Sequence, residues 1–193
     1  MAGGEPRIPY PDPAQFEGIR RNSAESRLNV ERMFAHIPPG LFEGYGAFAS
    51  SVMSNASLDP VLRELAILRV GHLSHCAYEI YQHESFARYI GMSDTLIAAA
   101  AVGAEDPALD ARQRAVLAFT DDLVLRIRPT DAVLGEARRQ LSIHELFSVL
   151  LTVGQYMTVC RILETTGVPI EGDSSIVTGK LSAIPAQAPA AAG

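Results

Sequence analysis

Apolar residues recur at three- and four-residue intervals along most of the chain. No window shows strict alternation bounded by hairpin turns, so the pattern predicts an all-α protein. Asp59-Pro60 reads as a helix start, with Asp59 as N-cap and Pro60 at the first helical position. The helix that follows carries Leu62, Leu65, Ala66, Arg69 and Val70 at helical spacing. A second helix is expected from Ser74 or His75 through Tyr89, with Gly91 free to terminate it in the left-handed conformation. Ser93 can cap a helix over Thr95–Val102, Asp110 one over Ala111–Ile127, and Thr130 a shorter one to Gln140. Ser142 and Glu145 have the spacing of a capping box and open a long apolar helix to Thr166, with Gly167 beyond it. Leu28–His36 and Leu41–Met53 read as two further helices around Pro38-Pro39-Gly40. RELAIL at 63–68 echoes RAVLAF at 114–119, which fits either an internal helical duplication or coincidence between amphipathic helices.

The ends differ in composition. Residues 1–26, rich in proline at the start, read as an extended N-terminal arm; residues 27–167 as a single helical domain; residues 168–193 as a Pro/Ala-rich tail. The length of 193 residues suits one domain, and a net charge of −6 works against a nucleic-acid partner. The longest near-continuous apolar run, Leu96 to Ala104, is half of the ~20 residues a membrane span needs. The N-terminus lacks the apolar core of a signal peptide, and two cysteines make no disulfide framework. The expectation is an acidic cytoplasmic protein that binds no nucleic acid and no membrane.

Candidate chemistry concentrates in one segment, His72-Leu-Ser-His75-Cys76-Ala-Tyr-Glu79-Ile-Tyr-Gln-His83. On a helix, Cys76, Glu79 and His83 fall on one face, and a cysteine in a first turn gains from the helix dipole. If the chain folds back near Ser74, antiparallel packing brings Glu64 opposite His83, a pairing that fixes the tautomer of the ring and raises its basicity. His75, Glu79 and His83, with His72 a turn earlier, also have a spacing that admits a metal site. Arg63, Arg69 and Arg88 lie nearby and read as surface or intersubunit salt-bridge residues before substrate clamps. Cys160 reads as a core thiol, Arg20-Arg21 and Arg138-Arg139 as solvated charge pairs, and Tyr78, Tyr81, Tyr89 and Tyr156 mostly as packing residues, with room for one of them to line a pocket.

The segment RELAILRVGHLSHCAYEIYQHESFARYIGMSDTLIAA, within a stretch from about Leu58 to Ala101, resembles the carboxymuconolactone decarboxylase superfamily, which includes the alkylhydroperoxidase D-like proteins. The resemblance rests on Glu64, Cys76, position 79 and His83 in order, followed by Tyr89-Ile90-Gly91-Met92-Ser93. It extends to the flanking segments RLNVERMFAHIPP and YMTVCRILETTGVP. It implies a compact helical subunit that assembles as a trimer or hexamer. In hydroperoxidase-like members a glutamate, a C-x-x-C pair and a histidine form a proton-relay redox site. Glu64, Cys76 and His83 match that set, but Glu79 stands where the second cysteine would be, so no disulfide can join positions 76 and 79. The decarboxylase branch resembles this chain in its E-x-x-x-H, here Glu79 and His83, and implies no cofactor.

The reading placed first is therefore a cofactor-independent acid–base enzyme, decarboxylating, lyase or isomerase, for a small carboxylate, lactone or enone. Its site is expected at Glu64, Cys76, Glu79 and His83, with no metal. The alternatives are a single-cysteine peroxidase resolved by an external thiol and a non-catalytic helical oligomer.

Overall fold

The computed structural model describes residues 5–171, and among them every regular element is helical. The expected caps form. Asp59 accepts from the backbone N–H groups of Val61 and Leu62 and opens α4 (Pro60–Leu73). Ser93 opens α6 (Asp94–Val102), and Thr130 opens α8 (Asp131–Gln140). Capping boxes at Asp110–Gln113 and Ser142–Glu145 open α7 (Ala111–Arg126) and α9 (Ile143–Thr166). Gly167 ends α9 in the left-handed conformation.

Helix α4 is the axis of the fold. Leu65, Ala66, Ile67, Leu68 and Val70 are all fully buried, so α4 is covered on every side by α5 (Ala77–Tyr89), α6, α7 and α9. Such a helix has no polar face, which is why charged residues on it, Arg63 and Glu64, end up inside the protein. The segments RELAIL and RAVLAF lie on α4 and α7, which pack side by side at the centre. Helix α9 is long and apolar enough to cross a membrane by length and composition, a property the longest uninterrupted run did not reveal. Here it packs against α3 (Pro39–Ser54), α4 and α7.

Two glycines permit close approaches. A Cβ on Gly71 would sit 3.1 Å from Ile80 Cγ1, so the glycine lets α5 fold tightly back on α4. Gly103 ends α6 at φ +99°, ψ −160°, a conformation that only glycine enters without strain. A Cβ there would also meet the Arg69 guanidinium at 2.6 Å. Arg69 donates to the carbonyls of Ala100 and Ala101 and pairs with Asp121, so it holds the end of α6 on α7. Gly103→Ala is expected to destabilise the fold by about 1–3 kcal/mol, read as a lower urea midpoint at unchanged m-value. A loss below about 0.3 kcal/mol would contradict this role of the turn.

The N-terminal segment departs from an extended arm. Pro13–Gln15 form a 3-10 turn capped by Asp12, Gly18–Ala24 form α1, and Asn29–Phe34 form α2. Arg20, expected on a solvated face, instead donates to the carbonyls of Ala35 and Ile37 beyond α2 and lies 4.5 Å over the Phe16 ring. Further out, Arg7 N–H donates to Thr166 O and His36 Nε2 lies 2.9 Å from Pro9 O, fixing this segment to the same chain. At the other end Val168 is buried and Pro169 O accepts from Asn29 Nδ2. The rest of the expected tail, 172–193, lies outside the described residues.

Candidate functional site

Helices α4 and α5 form the antiparallel hairpin expected from the sequence, with its turn at Ser74 and His75. His75 takes φ 53° there, so α5 begins only at Ala77. This later start corrects the expected face of Cys76, Glu79 and His83. Cys76 is the N-cap of α5, fully buried, and its N–H donates to Gly71 O. His75 is exposed while His83 is buried, so the histidine series does not converge. Among the described residues no group of three or more His, Cys, Asp or Glu side chains is arranged to hold a metal ion.

The hairpin does bring three ionisable groups into line. His83 Nδ1 lies 2.6 Å from Glu64 Oε2 on α4, and His83 Nε2 lies 3.0 Å from Glu79 Oε1, one turn earlier on α5. Glu64 is fully buried; Glu79 and His83 are 4% and 7% exposed. Arg63, expected at the surface, is also buried: Nη1 donates to Met53 O at 2.9 Å and Nε lies 3.5 Å from Glu64 Oε1. Two carboxylates thus face two cationic side chains, which offsets the cost of burying charge. The ring of Tyr156 stands edge-on to His83 at 4.9 Å, and its hydroxyl contacts Met53 Sδ.

Burial disfavours the charged form of His83, but the carboxylates of Glu64 and Glu79 outweigh it and hold the imidazole pKa up to about 10. The ring is then an imidazolium at neutral pH, donating to both carboxylates. An imidazole whose pKa rises from 6.5 on folding adds stability that is complete below pH 6.5 and is lost as the pH climbs through 10. Urea unfolding between about pH 6 and 10.5 is therefore expected to show a decline of a few kcal/mol. His83→Gln, starting from a lower stability, should lack that component of the decline. A wild-type profile that coincides in slope with the variant would show that the imidazolium is not held in the folded state.

Beside this triad opens a cavity of about 230 Å³, lined by Phe34, Tyr45, Met53, Tyr78, Tyr156 and Val159 together with Glu31, Glu79, Gln82, His83 and Gln155. No arginine or lysine among the described residues lines it. Arg69 and Arg88 point elsewhere, the latter pairing with Glu84 and Asp94. Tyr45, Gln82 and Gln155 had no signal in the sequence beyond their types. Gln155 Nε2 donates to the Tyr45 hydroxyl, which leaves the O–H hydrogen for a further acceptor; burial pushes the Tyr45 pKa up to about 12, so the phenol stays protonated. Glu171 braces two of the lining residues. Its carboxylate accepts from Tyr78 Oη and Gln82 Nε2, each at 2.6 Å, and from Asn29 N–H at the start of α2.

The described residues thus form an all-helical domain with a buried Glu–His–Glu line beside a small cavity. Residues 39–122 match the carboxymuconolactone decarboxylase family, the family that the sequence around Glu64, Cys76 and His83 resembles. No curated protein matches the chain. Among solved structures, it is similar to an alkylhydroperoxidase AhpD core, an uncharacterized peroxidase-related protein from Ralstonia eutropha JMP134, at 19% identity and a TM-score of 0.77. That similarity covers 90% of this chain and 96% of the other. An uncharacterized peroxidase-related protein from Silicibacter sp. TM1040 is 19% identical with a TM-score of 0.68, covering 86% of this chain and 88% of that one. A variant of the debrominase Bmp8, solved in complex with 2,3,4-tribromopyrrole, is 14% identical with a TM-score of 0.65 over 79% of this chain and 81% of its own. At these identities the likeness is one of fold.

Proposed function

We propose that the protein is a cofactor-independent acid–base enzyme that moves a proton on a small, neutral carbonyl compound such as a lactone or an enone. The carrying observation is the line Glu64–His83–Glu79 ending at a largely apolar cavity that no lysine or arginine among the described residues lines. Glu79 is the group that exchanges the proton with substrate carbon. Its carboxylate takes the proton, the electron pair moves into the carbonyl, and the resulting carboxylic acid returns the proton to the same carbon or a conjugated one. His83 holds Glu79 in place through Nε2 and carries compensating positive charge, and Glu64 fixes the ring through Nδ1. The Tyr45 hydroxyl, also on the cavity wall, is the donor for the developing oxyanion. Tyr45→Phe is expected to lower kcat by about 10²-fold with KM nearly constant; a rise in KM alone would mean that Tyr45 only binds substrate.

On the cavity wall Glu31 and Glu79 outnumber the His83 imidazolium, and no lysine or arginine among the described residues joins them, which disfavours a carboxylate substrate and sets proton transfer on a neutral compound above decarboxylation of an anion. Cys76 is fully buried and does not line the cavity, which sets the acid–base reading above the single-cysteine peroxidase. The test is a matched panel: neutral lactones and enones against their carboxylate-bearing analogues. Turnover of neutral members and little or none of the anions is expected. Turnover confined to the anions, or only of hydroperoxides, would overturn the reading. A homo-oligomer belongs to the same proposal, supported by exposed Ile143, Phe147, Leu150 and Leu151 on one side of α9. Light scattering should show more than one copy, and a monomer at micromolar concentration would count against it.

A further inference from the structure

The cavity wall holds a polar group that the proton-transfer reading leaves unused. Gln82 follows Glu79 by three residues on α5, so the two share a face of that helix, and both line the cavity. Gln82 is 4% exposed, and its amide is held at one end: Nε2 donates to Glu171 Oε2 at 2.6 Å. The Glu171 carboxylate also accepts from Tyr78 Oη at 2.6 Å and from Asn29 N–H. Three donors thus converge on a group that only accepts, which fixes the amide with its nitrogen toward Glu171 and its oxygen away from it. Among the described residues, Gln82 Oε1 is the one buried side-chain nitrogen or oxygen of the cavity lining without a hydrogen-bond partner. Folded proteins seldom leave a buried amide oxygen unpaired, because its lost hydration is then uncompensated. The carboxylates of the same wall are engaged, Glu79 by His83 Nε2 and Glu31 by Ser26 Oγ.

We propose that Gln82 Oε1 is a specificity-determining acceptor, and that the substrate is a neutral carbonyl compound bearing a hydroxyl group whose O–H donates to it. The inference deepens the proton-transfer reading and rests on it for the reaction; the binding preference rests on Gln82 alone. Tyr45, whose oxygen accepts from Gln155 Nε2, presents its hydrogen to the carbonyl oxygen, while Gln82 presents an oxygen to the hydroxyl. A donor and an acceptor on one wall distinguish the two oxygens of such a substrate and so set which way round it lies. With Glu79 one turn before Gln82, a hydroxyl held by Gln82 brings the neighbouring carbons toward the carboxylate. An amide does this without adding charge, which matches a neutral ligand. An analogue with hydrogen or an ether in place of the hydroxyl leaves Oε1 unpaired and is disfavoured for that reason. Glu171 is a positioning residue: it acts through the Gln82 amide, whose orientation it fixes.

The probes are cyclohex-2-enone, its 4-, 5- and 6-hydroxy derivatives, and their methyl ethers. Binding to the full-length chain is measured by ligand-observed NMR titration, and turnover by proton exchange in D2O. One hydroxy regioisomer is expected to bind about 10-fold or more tightly than both the unsubstituted enone and its own methyl ether, and to keep that ratio in kcat/KM. Gln82→Met keeps the length of the side chain and removes the acceptor, and should bring the ratio close to one. A merely structural role would weaken all the compounds together and leave the ratio standing. Glu171→Gln, whose amide can meet Gln82 with either end, should lower the ratio part of the way.

Equal affinity of the hydroxy, methoxy and unsubstituted compounds for the wild type would overturn the proposal, as would no measurable binding of any hydroxy compound. So would a wild-type preference that Gln82→Met retains. Absence of proton exchange with every compound would sink the proton-transfer reading, while the ratio of affinities would still decide the role of Gln82. The wild-type titration decides even if the methionine variant fails to fold.

Discussion

Replacing Glu64 by alanine is expected to destabilise the fold by about 3–5 kcal/mol, the cost of breaking a buried ion pair from one side. The Glu64 carboxylate is fully buried, between His83 Nδ1 at 2.6 Å and Arg63 Nε at 3.5 Å. Without it, a buried imidazolium and a buried guanidinium face each other across a void, and the ring can keep its proton only through Glu79. The His83 pKa should fall from its raised value, so the alanine variant should also lose part of the stability decline on the alkaline side of neutrality. Glu64→Gln keeps the volume and one acceptor and should cost less. Urea unfolding of both variants at neutral pH measures this. A loss below about 1 kcal/mol for alanine would mean that the three groups are not coupled as the distances indicate.

Glu79→Gln should reduce turnover on a neutral carbonyl substrate by about 10²–10⁴-fold, the usual contribution of a positioned acid–base group. The amide has the carboxylate's shape and can still meet His83 Nε2, so the fold and KM should change little. A split of this kind, in kcat and not in KM, separates a proton-transferring group from one that only shapes the pocket. Stopped-flow or steady-state kinetics on the best substrate of the panel provides the reading. An unchanged kcat would remove Glu79 from the chemistry.

The helical architecture was legible because its determinants are local. Asp59-Pro60, Ser93, Asp110, Thr130 and Ser142 each combine a capping side chain with an apolar periodicity, and each opens a helix where the sequence places it. The meeting of Glu64 with His83 was legible too, because a short turn leaves two helices no alternative to antiparallel packing. The start of α5 was not. His75 adopts a left-handed conformation that its residue type does not announce, and the later start turned Cys76 from a first-turn group into a buried N-cap.

What the sequence could not provide is the register of distant elements. Tyr45 and Gln155 meet because α3 lies on α9, and that contact has no local signature. Arg63 looked like a surface residue because arginine usually is one. Its burial follows from α4 being enclosed on all sides. Glu171 acts on the pocket from a segment whose composition suggested a loose tail.

The most direct test of the central claim is proton NMR of a neutral enone or lactone incubated with the enzyme in D2O, comparing wild type, Glu79→Gln, His83→Gln and Cys76→Ser. Deuterium is expected at a carbon alpha or conjugated to the carbonyl with wild type and Cys76→Ser, and little or none with Glu79→Gln and His83→Gln. Exchange that survives in both Glu79→Gln and His83→Gln but disappears in a folded Cys76→Ser would contradict the claim, and would move the chemistry from the buried carboxylate–imidazole line to the thiol.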